Sequence, residues 1–114
     1  MEKTTEQKSF QFAVRIVKLC KYLNECKKEY TMSRQVLRAG TSIGANIAEA
    51  EQAQSRPDFL SKMSIALKEA AETDYWLRLL YETEYLSETE FVSIYQDCRE
   101  LEKMLTAIVK TTRQ

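Results

Sequence analysis

Two groups of polar side chains in the middle of the chain have the types and spacing that binding or catalysis would need. The first is a row on one predicted helix: Arg38, Ser42, Asn46, Glu49. The second lies on the next predicted helix: Glu69, Glu72, Trp76. Spacings of three and four residues place the members of each group near one helix face. Serine and asparagine suit a helix interior only where their side chains find partners. The groups therefore predict either an interhelical hydrogen-bond network, with Arg38 pairing a carboxylate, or a ligand or nucleic-acid site.

Three of these carboxylates, Glu49, Glu69 and Glu72, are oxygen ligands of the kind that Mg²⁺ or Mn²⁺ prefers. All-helical nucleotide pyrophosphatases use a Glu-x-x-Glu pair and a later Glu-x-x-Asp. Glu69-x-x-Glu72 supplies the first pair, but no Glu-x-x-Asp occurs, since Asp97-x-x-Glu100 has the reverse order. A metal-dependent nucleotide pyrophosphatase is kept only as an alternative.

The composition removes most other catalytic chemistry. The chain has no histidine, which excludes Ser-His-Asp and Cys-His catalysis and the Glu-x-x-His motif of di-iron bundles. The cysteines Cys20, Cys26 and Cys98 lack the spacing of zinc ligands, and their odd number indicates reduced, cytoplasmic thiols. Neither glycine belongs to a phosphate-binding loop. The sequence predicts no enzyme, no cofactor, no metal centre and no small-molecule substrate.

Charge is balanced overall but unevenly distributed along the chain. Lysine plus arginine equals aspartate plus glutamate, at 17 each, so the net charge predicts no polyanion partner. Residues 1–30 carry seven basic and four acidic groups, whereas residues 82–102 carry seven acidic groups and one basic group. A folded bundle would bring these segments together, and internal complementarity is one explanation.

A basic stripe on the first helix keeps nucleic-acid binding open as a function. It consists of Lys8, Arg15, Lys18, Lys21. Such a stripe could contact RNA or DNA phosphates. Lysine and arginine on a helix surface are also typical of plain solubility, so both interpretations stay open.

The elements that must position these residues are helices. Two glycines and one proline among 114 residues indicate an all-α protein, and the length indicates a single domain over residues 1–114. Apolar ridges predict helices over about 4–29, 33–53, from 55 to about 80 and from 87 to about 108. We expect Ser33 and Ser55 to be N-caps and Ser87 with Glu90 to form a capping box. Short connections predict an antiparallel up-down-up-down four-helix bundle. No apolar run is long enough for a membrane span or a signal peptide, so we expect a cytoplasmic protein without membrane contact.

Both glycines of the chain, Gly40 and Gly44, fall inside the second helix, one turn apart. An interior glycine costs a helix about 1 kcal/mol relative to alanine. We therefore expect them to admit a neighbouring helix, with bulky side chains such as Phe10 or Trp76 filling the groove, or else to mark a bend in the helix.

Self-association is predicted by an excess of apolar surface. Helix one carries two apolar ridges, and one of them begins with Phe10, Ala13 and Val17. A helix with two such ridges packs on more than one neighbour. Together with six tyrosines and one tryptophan, this exceeds what one core of this length needs and is typical of an interface in a homo-oligomer.

The central segment also resembles a known family. Its matching pieces are LRAGTSIGANIAEA at residues 37–50, the Asp58-Phe59 helix start, and IALKEAAET at residues 65–73 followed by an aromatic residue and a leucine. This run is similar to that of the four-helix-bundle proteins encoded in intervening sequences of bacterial 23S rRNA genes. Helices one and four match by length and pattern only.

The resemblance implies a small cytoplasmic bundle that assembles into a ring-like homopentamer, has no established enzymatic activity and is of largely unknown molecular function. Accessory proteins of diversity-generating retroelements form a related group, in which a basic bundle surface engages nucleic acid and a reverse transcriptase. The zero net charge of this chain departs from that basic pattern.

Overall fold

Four α-helices make up the computed structural model, which describes residues 3–114. They are α1 (Thr5–Cys26), α2 (Thr31–Ala50), α3 (Arg56–Glu82) and α4 (Glu88–Arg113). Over the described residues there is no strand, so the all-α prediction is confirmed. None of these helices combines the length and the apolar composition that a membrane span requires.

The starts of α3 and α4 lie where the capping motifs predict them. The Ser55 hydroxyl accepts a hydrogen bond from the Asp58 N–H at 3.1 Å. At α4 the Ser87 hydroxyl accepts from the Glu90 N–H at 3.2 Å, and the Glu90 carboxylate accepts from the Ser87 N–H at 2.8 Å. Each motif satisfies backbone donors that the first helical turn leaves free.

The start of α2 differs from the prediction, because Ser33 is not its N-cap. The helix begins at Thr31. The carboxylate of Glu29, which precedes the helix, accepts from the N–H groups of Thr31, Met32 and Ser33 at 3.1, 3.2 and 3.0 Å. Ser33 is buried, and its hydroxyl donates to Asn24 Oδ1 at 2.8 Å. A glutamate outside the helix thus does the work that a short N-cap side chain does elsewhere.

The buried apolar residues of all four helices form one hydrophobic cluster. Its largest fully buried apolar side chains are Phe12, Ile16, Leu23, Val36, Ile43, Ile47, Leu77, Leu80, Leu101 and Leu105. On α1 the buried apolar side chains are Phe12, Ile16, Cys20 and Leu23. The ridge that starts at Phe10 reaches this core at Cys20, whereas its Phe10 and Val17 are exposed.

Both glycines of α2 lie against α1, so the close approach concerns this pair of helices. A Cβ atom built on Gly40 would lie 2.8 Å from Cγ1 of Ile16. A Cβ on Gly44 would lie 3.3 Å from the backbone carbonyl oxygen of Ser9. The side chain above Gly40 is therefore Ile16 and not one of the aromatic residues. At Gly44 it is the backbone of α1 that comes close.

Candidate functional site

The predicted pairing between the two central polar groups is present across α2 and α3. The Arg38 guanidinium donates to Glu69 Oε2 at 3.2 Å and forms a second ion pair with the Glu72 carboxylate. The Trp76 indole N–H donates to the same Glu72 carboxylate at 3.0 Å. We call Arg38, Glu69, Glu72 and Trp76 the Arg38 cluster. Half of the Arg38 side chain is exposed, so the cluster lies at the surface.

The remaining members of the polar row have separate partners. The Asn46 amide donates to the backbone oxygen and to the hydroxyl of Ser42, at 2.9 and 3.1 Å. It therefore connects two turns of α2 and does not join α2 to another helix. Glu49 pairs with Lys62 of α3 at 3.3 Å. Of the row, only Arg38 and Glu49 reach across to α3.

These contacts bear directly on the divalent-metal hypothesis. Arg38 holds Glu69 and Glu72, while Lys62 holds Glu49, so each carboxylate faces a cation of the chain. A metal ion would have to displace these cations before it could bind. Within residues 3–114 no group of three or more carboxylate, cysteine or histidine side chains has the arrangement of a metal site.

Two members of the predicted basic stripe are paired with the acidic side of α4. Lys8 forms an ion pair with Glu100. Arg15 donates to Asp97 Oδ2 at 2.7 Å and to the hydroxyl of Ser93 at 2.8 Å. The opposite charges of the two segments are thus paired between α1 and α4 at the protein surface. The other two members, Lys18 and Lys21, are exposed on α1.

An apolar groove runs between α1 and α2 on the outer side of the bundle, with a volume of about 530 Å³. Its apolar and small lining residues are Phe10, Ala13, Gly44, Ala45 and Ala48. Phe10 is 69% exposed, and the half-exposed Val14 and Val17 lie on the same helix. We call this surface the α1/α2 groove. Such an apolar patch is characteristic of an interaction surface.

A polar cluster between α3 and α4 was not predicted. Asp74 is buried, and its carboxylate accepts from the Tyr95 hydroxyl at 3.1 Å, from Arg78 Nε at 2.8 Å and from Arg99 Nη1 at 3.5 Å. Glu102 also hydrogen-bonds to Asp74 and pairs with Arg99 at 3.3 Å. We call these five residues the Asp74 cluster. Its one sequence signal is an aspartate next to the core ridge of α3, which does not reveal the partners on α4.

The pKa values of the two carboxyl groups in the Asp74 cluster are shifted in opposite directions. Burial, the hydrogen bond to Asp74 and the charge of Asp74 raise the pKa of Glu102 to about 7, and the nearby Arg99 only partly offsets them. Burial also acts to raise the pKa of Asp74, but hydrogen bonds from Glu102, Arg78 and Tyr95 outweigh it and leave that pKa below its ordinary value. The pair therefore holds one proton close to neutral pH.

All three cysteines are free thiols, and the two buried ones are poor nucleophiles. Burial, with a smaller contribution from the charge of Glu29, raises the pKa of Cys20 to about 11. Burial likewise raises the pKa of Cys98, helped by Glu102. Since the thiolate is the reactive form, neither thiol is activated at neutral pH.

Comparison with known proteins gives a consistent assignment. The profile of the family described as 23S rRNA-intervening sequence protein matches residues 2–107. A crystal structure of a protein of unknown function from Bacteroides thetaiotaomicron, in the S23 ribosomal protein family, is 57% identical. That comparison covers 94% of this chain and 99% of the other, with a TM-score of 0.93. No curated protein matches the chain. Because the profile spans nearly the whole sequence and the fold agrees with that of the Bacteroides protein, the chain belongs to the 23S rRNA-intervening sequence protein family.

Proposed function

We propose that this protein is a non-catalytic cytoplasmic bundle that assembles into a ring-like homopentamer and binds a macromolecular partner. The observation that carries the proposal is the α1/α2 groove, where Phe10 is 69% exposed beside a floor of small residues. Family membership supports the pentameric ring, because the resemblance of the central segment implies that assembly. The free thiols favour a reducing compartment.

The antiparallel up-down-up-down arrangement is part of this proposal, and the order of contacts between α1 and α4 supports it. Lys8 pairs with Glu100, whereas Arg15, further along α1, pairs with Asp97, which is earlier in α4. Contacts that run in opposite order along two helices are those of antiparallel neighbours.

A second copy of the chain is the occupant of the α1/α2 groove in this proposal. The floor of Ala13, Gly44, Ala45 and Ala48 lets a helix approach closely. Burying a large apolar side chain such as Phe10 contributes about 1.5–3 kcal/mol. A ring also needs a second, different patch on each copy, because its contacts are head-to-tail. On α3 the exposed large apolar side chains are Ile65 and Tyr75, and we propose that one of them belongs to this second patch.

Measuring the mass of the protein in solution by light scattering at micromolar concentration tests the assembly. We expect a particle of five 13.3 kDa chains. A monomer mass at that concentration would contradict the proposal.

Binding of RNA or DNA is the second candidate function, in the manner of the retroelement accessory proteins. The observation that favours it is the exposure of Lys18 and Lys21 on α1, which a ring would repeat around its circumference. The ion pairs of Lys8 and Arg15 with α4 carboxylates argue against it, because they already neutralise two charges of the stripe. The apolar groove therefore supports a protein contact better than the basic stripe supports a nucleic-acid contact.

A further inference from the structure

A cavity of about 680 Å³ lies where α1 and α3 end and α4 begins. Three tyrosines and three glutamates line it: Tyr22, Tyr81, Tyr85, Glu82, Glu84 and Glu90. Tyrosine rings attract cations through their faces, and carboxylates attract them through charge. The cavity therefore combines two kinds of group that favour a positively charged ligand.

The chain holds the parts of this cavity in place. The Tyr85 N–H donates to the Leu80 carbonyl at 2.9 Å and the Glu84 N–H donates to the Tyr81 carbonyl at 3.0 Å, which closes the end of α3. Glu84 has φ of 68°, in the left-handed region that favours glycine. A carboxylate thus occupies a position where glycine would be easier to accommodate. The Tyr81 ring stacks on Phe91 with centroids 4.5 Å apart, which fixes its orientation.

A cation of the chain already lies at this cavity. The Lys27 ammonium is 5.9 Å from the centre of the Tyr22 ring, within cation–π range. Lys27 is also among the lining residues, so one positive charge faces three carboxylates there. The cavity keeps an excess of negative charge after this internal contact, which leaves room for a second cation.

An adjoining cavity of about 510 Å³ extends the site along α1 and α4. The two cavities share Tyr22, Leu86 and Glu90 as a common wall. The second cavity continues past Leu19 and Ile94, which are apolar. Arg15 and Lys18 also line it, and Arg15 is paired with Asp97. A ligand that spans both cavities would therefore place a cationic group beside an apolar one.

We propose that these cavities form a docking site for a protein segment that carries an arginine or lysine next to an apolar side chain. The cation contacts the tyrosine rings and pairs with Glu82 and Glu84, and the apolar side chain packs on Leu19 and Ile94. Lys27 of the protein itself competes with the cation of the partner for the Tyr22 ring and the glutamates. The inference specifies the partner of the proposed binding role but does not rest on assembly into a ring. The three glutamates of the first cavity face the single cation Lys27, and this excess of negative charge disfavours nucleic acid there.

Fluorine NMR of protein labelled with 3-fluorotyrosine tests the site, since each of the six tyrosines then reports separately. The probe is a short peptide with blocked ends that contains Leu-Arg. The matched peptide replaces arginine by citrulline, which has nearly the same shape and no charge. We expect saturable shifts at Tyr22, Tyr81 and Tyr85 with the arginine peptide and none with the citrulline peptide.

Variants of exposed residues sharpen this test, because they leave the core intact. Glu82→Gln combined with Glu84→Gln should weaken peptide binding roughly three- to tenfold. Lys27→Met should strengthen binding, because it removes the competing ammonium. Glu51→Gln, an exposed carboxylate of the loop between α2 and α3, should change nothing.

The proposal is overturned if the citrulline peptide shifts the same tyrosines equally, if the arginine peptide shifts none of them, or if only a nucleic-acid oligomer shifts them. A wild-type mass of five chains with no peptide binding would refute the site while leaving the assembly intact. Peptide binding to a protein of monomer mass would support the site and refute the assembly.

Discussion

The side chain of Ile16 occupies the space above Gly40 where any other residue would carry its Cβ. The nearest separations are 2.8 Å to Cγ1 and 2.9 Å to Cγ2 of Ile16. Both atoms are attached directly to the Cβ of a β-branched side chain, which has little freedom to turn away. The contact therefore explains why α2 tolerates a glycine that weakens the helix by about 1 kcal/mol.

Gly40→Ala should destabilise the protein by about 1–3 kcal/mol, because the overpacking against Ile16 outweighs the gain in helix propensity. Urea unfolding measures the change. Gly44→Ala is the matched control: its Cβ would lie 3.3 Å from the Ser9 carbonyl oxygen, so a small shift is enough to relieve it. We expect Gly44→Ala to cost clearly less, and equal losses for the two variants would contradict this account.

Glu29→Ala should destabilise the protein by about 1–2 kcal/mol, because three N–H groups at the start of α2 lose their acceptor. Thermal or urea unfolding measures the loss. Glu25→Ala, an exposed glutamate on α1, serves as control and should stay within about 0.5 kcal/mol of the wild type. If the two variants were equally stable, the capping role of Glu29 would be refuted.

The stability of the fold should fall as the pH rises from about 5 to about 7. The pKa of Glu102 is about 7 in the folded protein against an ordinary value of 4.5. In that window the folded state holds a proton that the unfolded state has released, so raising the pH favours unfolding. The groups that face Glu102 are Asp74 and Arg78 from α3 and Cys98 and Arg99 from its own helix.

Urea unfolding at several pH values measures this slope, which cannot exceed about 1.4 kcal/mol per pH unit for one proton. Glu102→Gln keeps the shape and removes the titration, so its stability should vary less over the same range. Glu51→Gln, being exposed in a loop, should keep the wild-type slope. A wild-type stability that is flat or rising across this window would show that Glu102 does not share a proton there.

Nucleic-acid binding, if it occurs, should depend on Lys18 and Lys21 and on salt. Titration of RNA and DNA into the protein at two salt concentrations measures it, since phosphate contacts release counterions. Replacing both lysines by glutamine should then weaken binding and flatten its salt dependence. Absence of salt-sensitive binding at low ionic strength would remove this second candidate function.

Local motifs were the part of the fold that could be predicted from the sequence. The Ser55 cap and the Ser87–Glu90 box depend on residues within one turn, so spacing alone identifies them. The start of α2 was misplaced because Glu29 acts from outside the helix, where capping patterns do not place an acceptor. That contact depends on where the tertiary fold places the Glu29 side chain.

At the candidate surfaces, too, contacts that follow from spacing along a helix could be predicted, and contacts that depend on tertiary packing could not. An ion pair of Arg38 with a carboxylate could be predicted as a kind of contact, because the polar residues share helix faces. The pairing of Lys8 with Glu100 joins residues 92 positions apart, and periodicity does not determine such a partner. The burial of Asp74 likewise follows from the packing of α4 on α3, which places Tyr95 and Arg99 above it.

The central claim, assembly through the α1/α2 groove, is tested most directly by sedimentation equilibrium of the wild type and of Phe10→Lys. Phe10 is 69% exposed, so the lysine should cost the isolated chain little stability while placing a charge in the interface. Gln52→Lys adds the same charge in an exposed loop and is the matched control. We expect a five-chain mass for the wild type and for Gln52→Lys, and a monomer mass for Phe10→Lys. A monomeric wild type, or a Phe10→Lys variant that keeps the five-chain mass, would contradict the account.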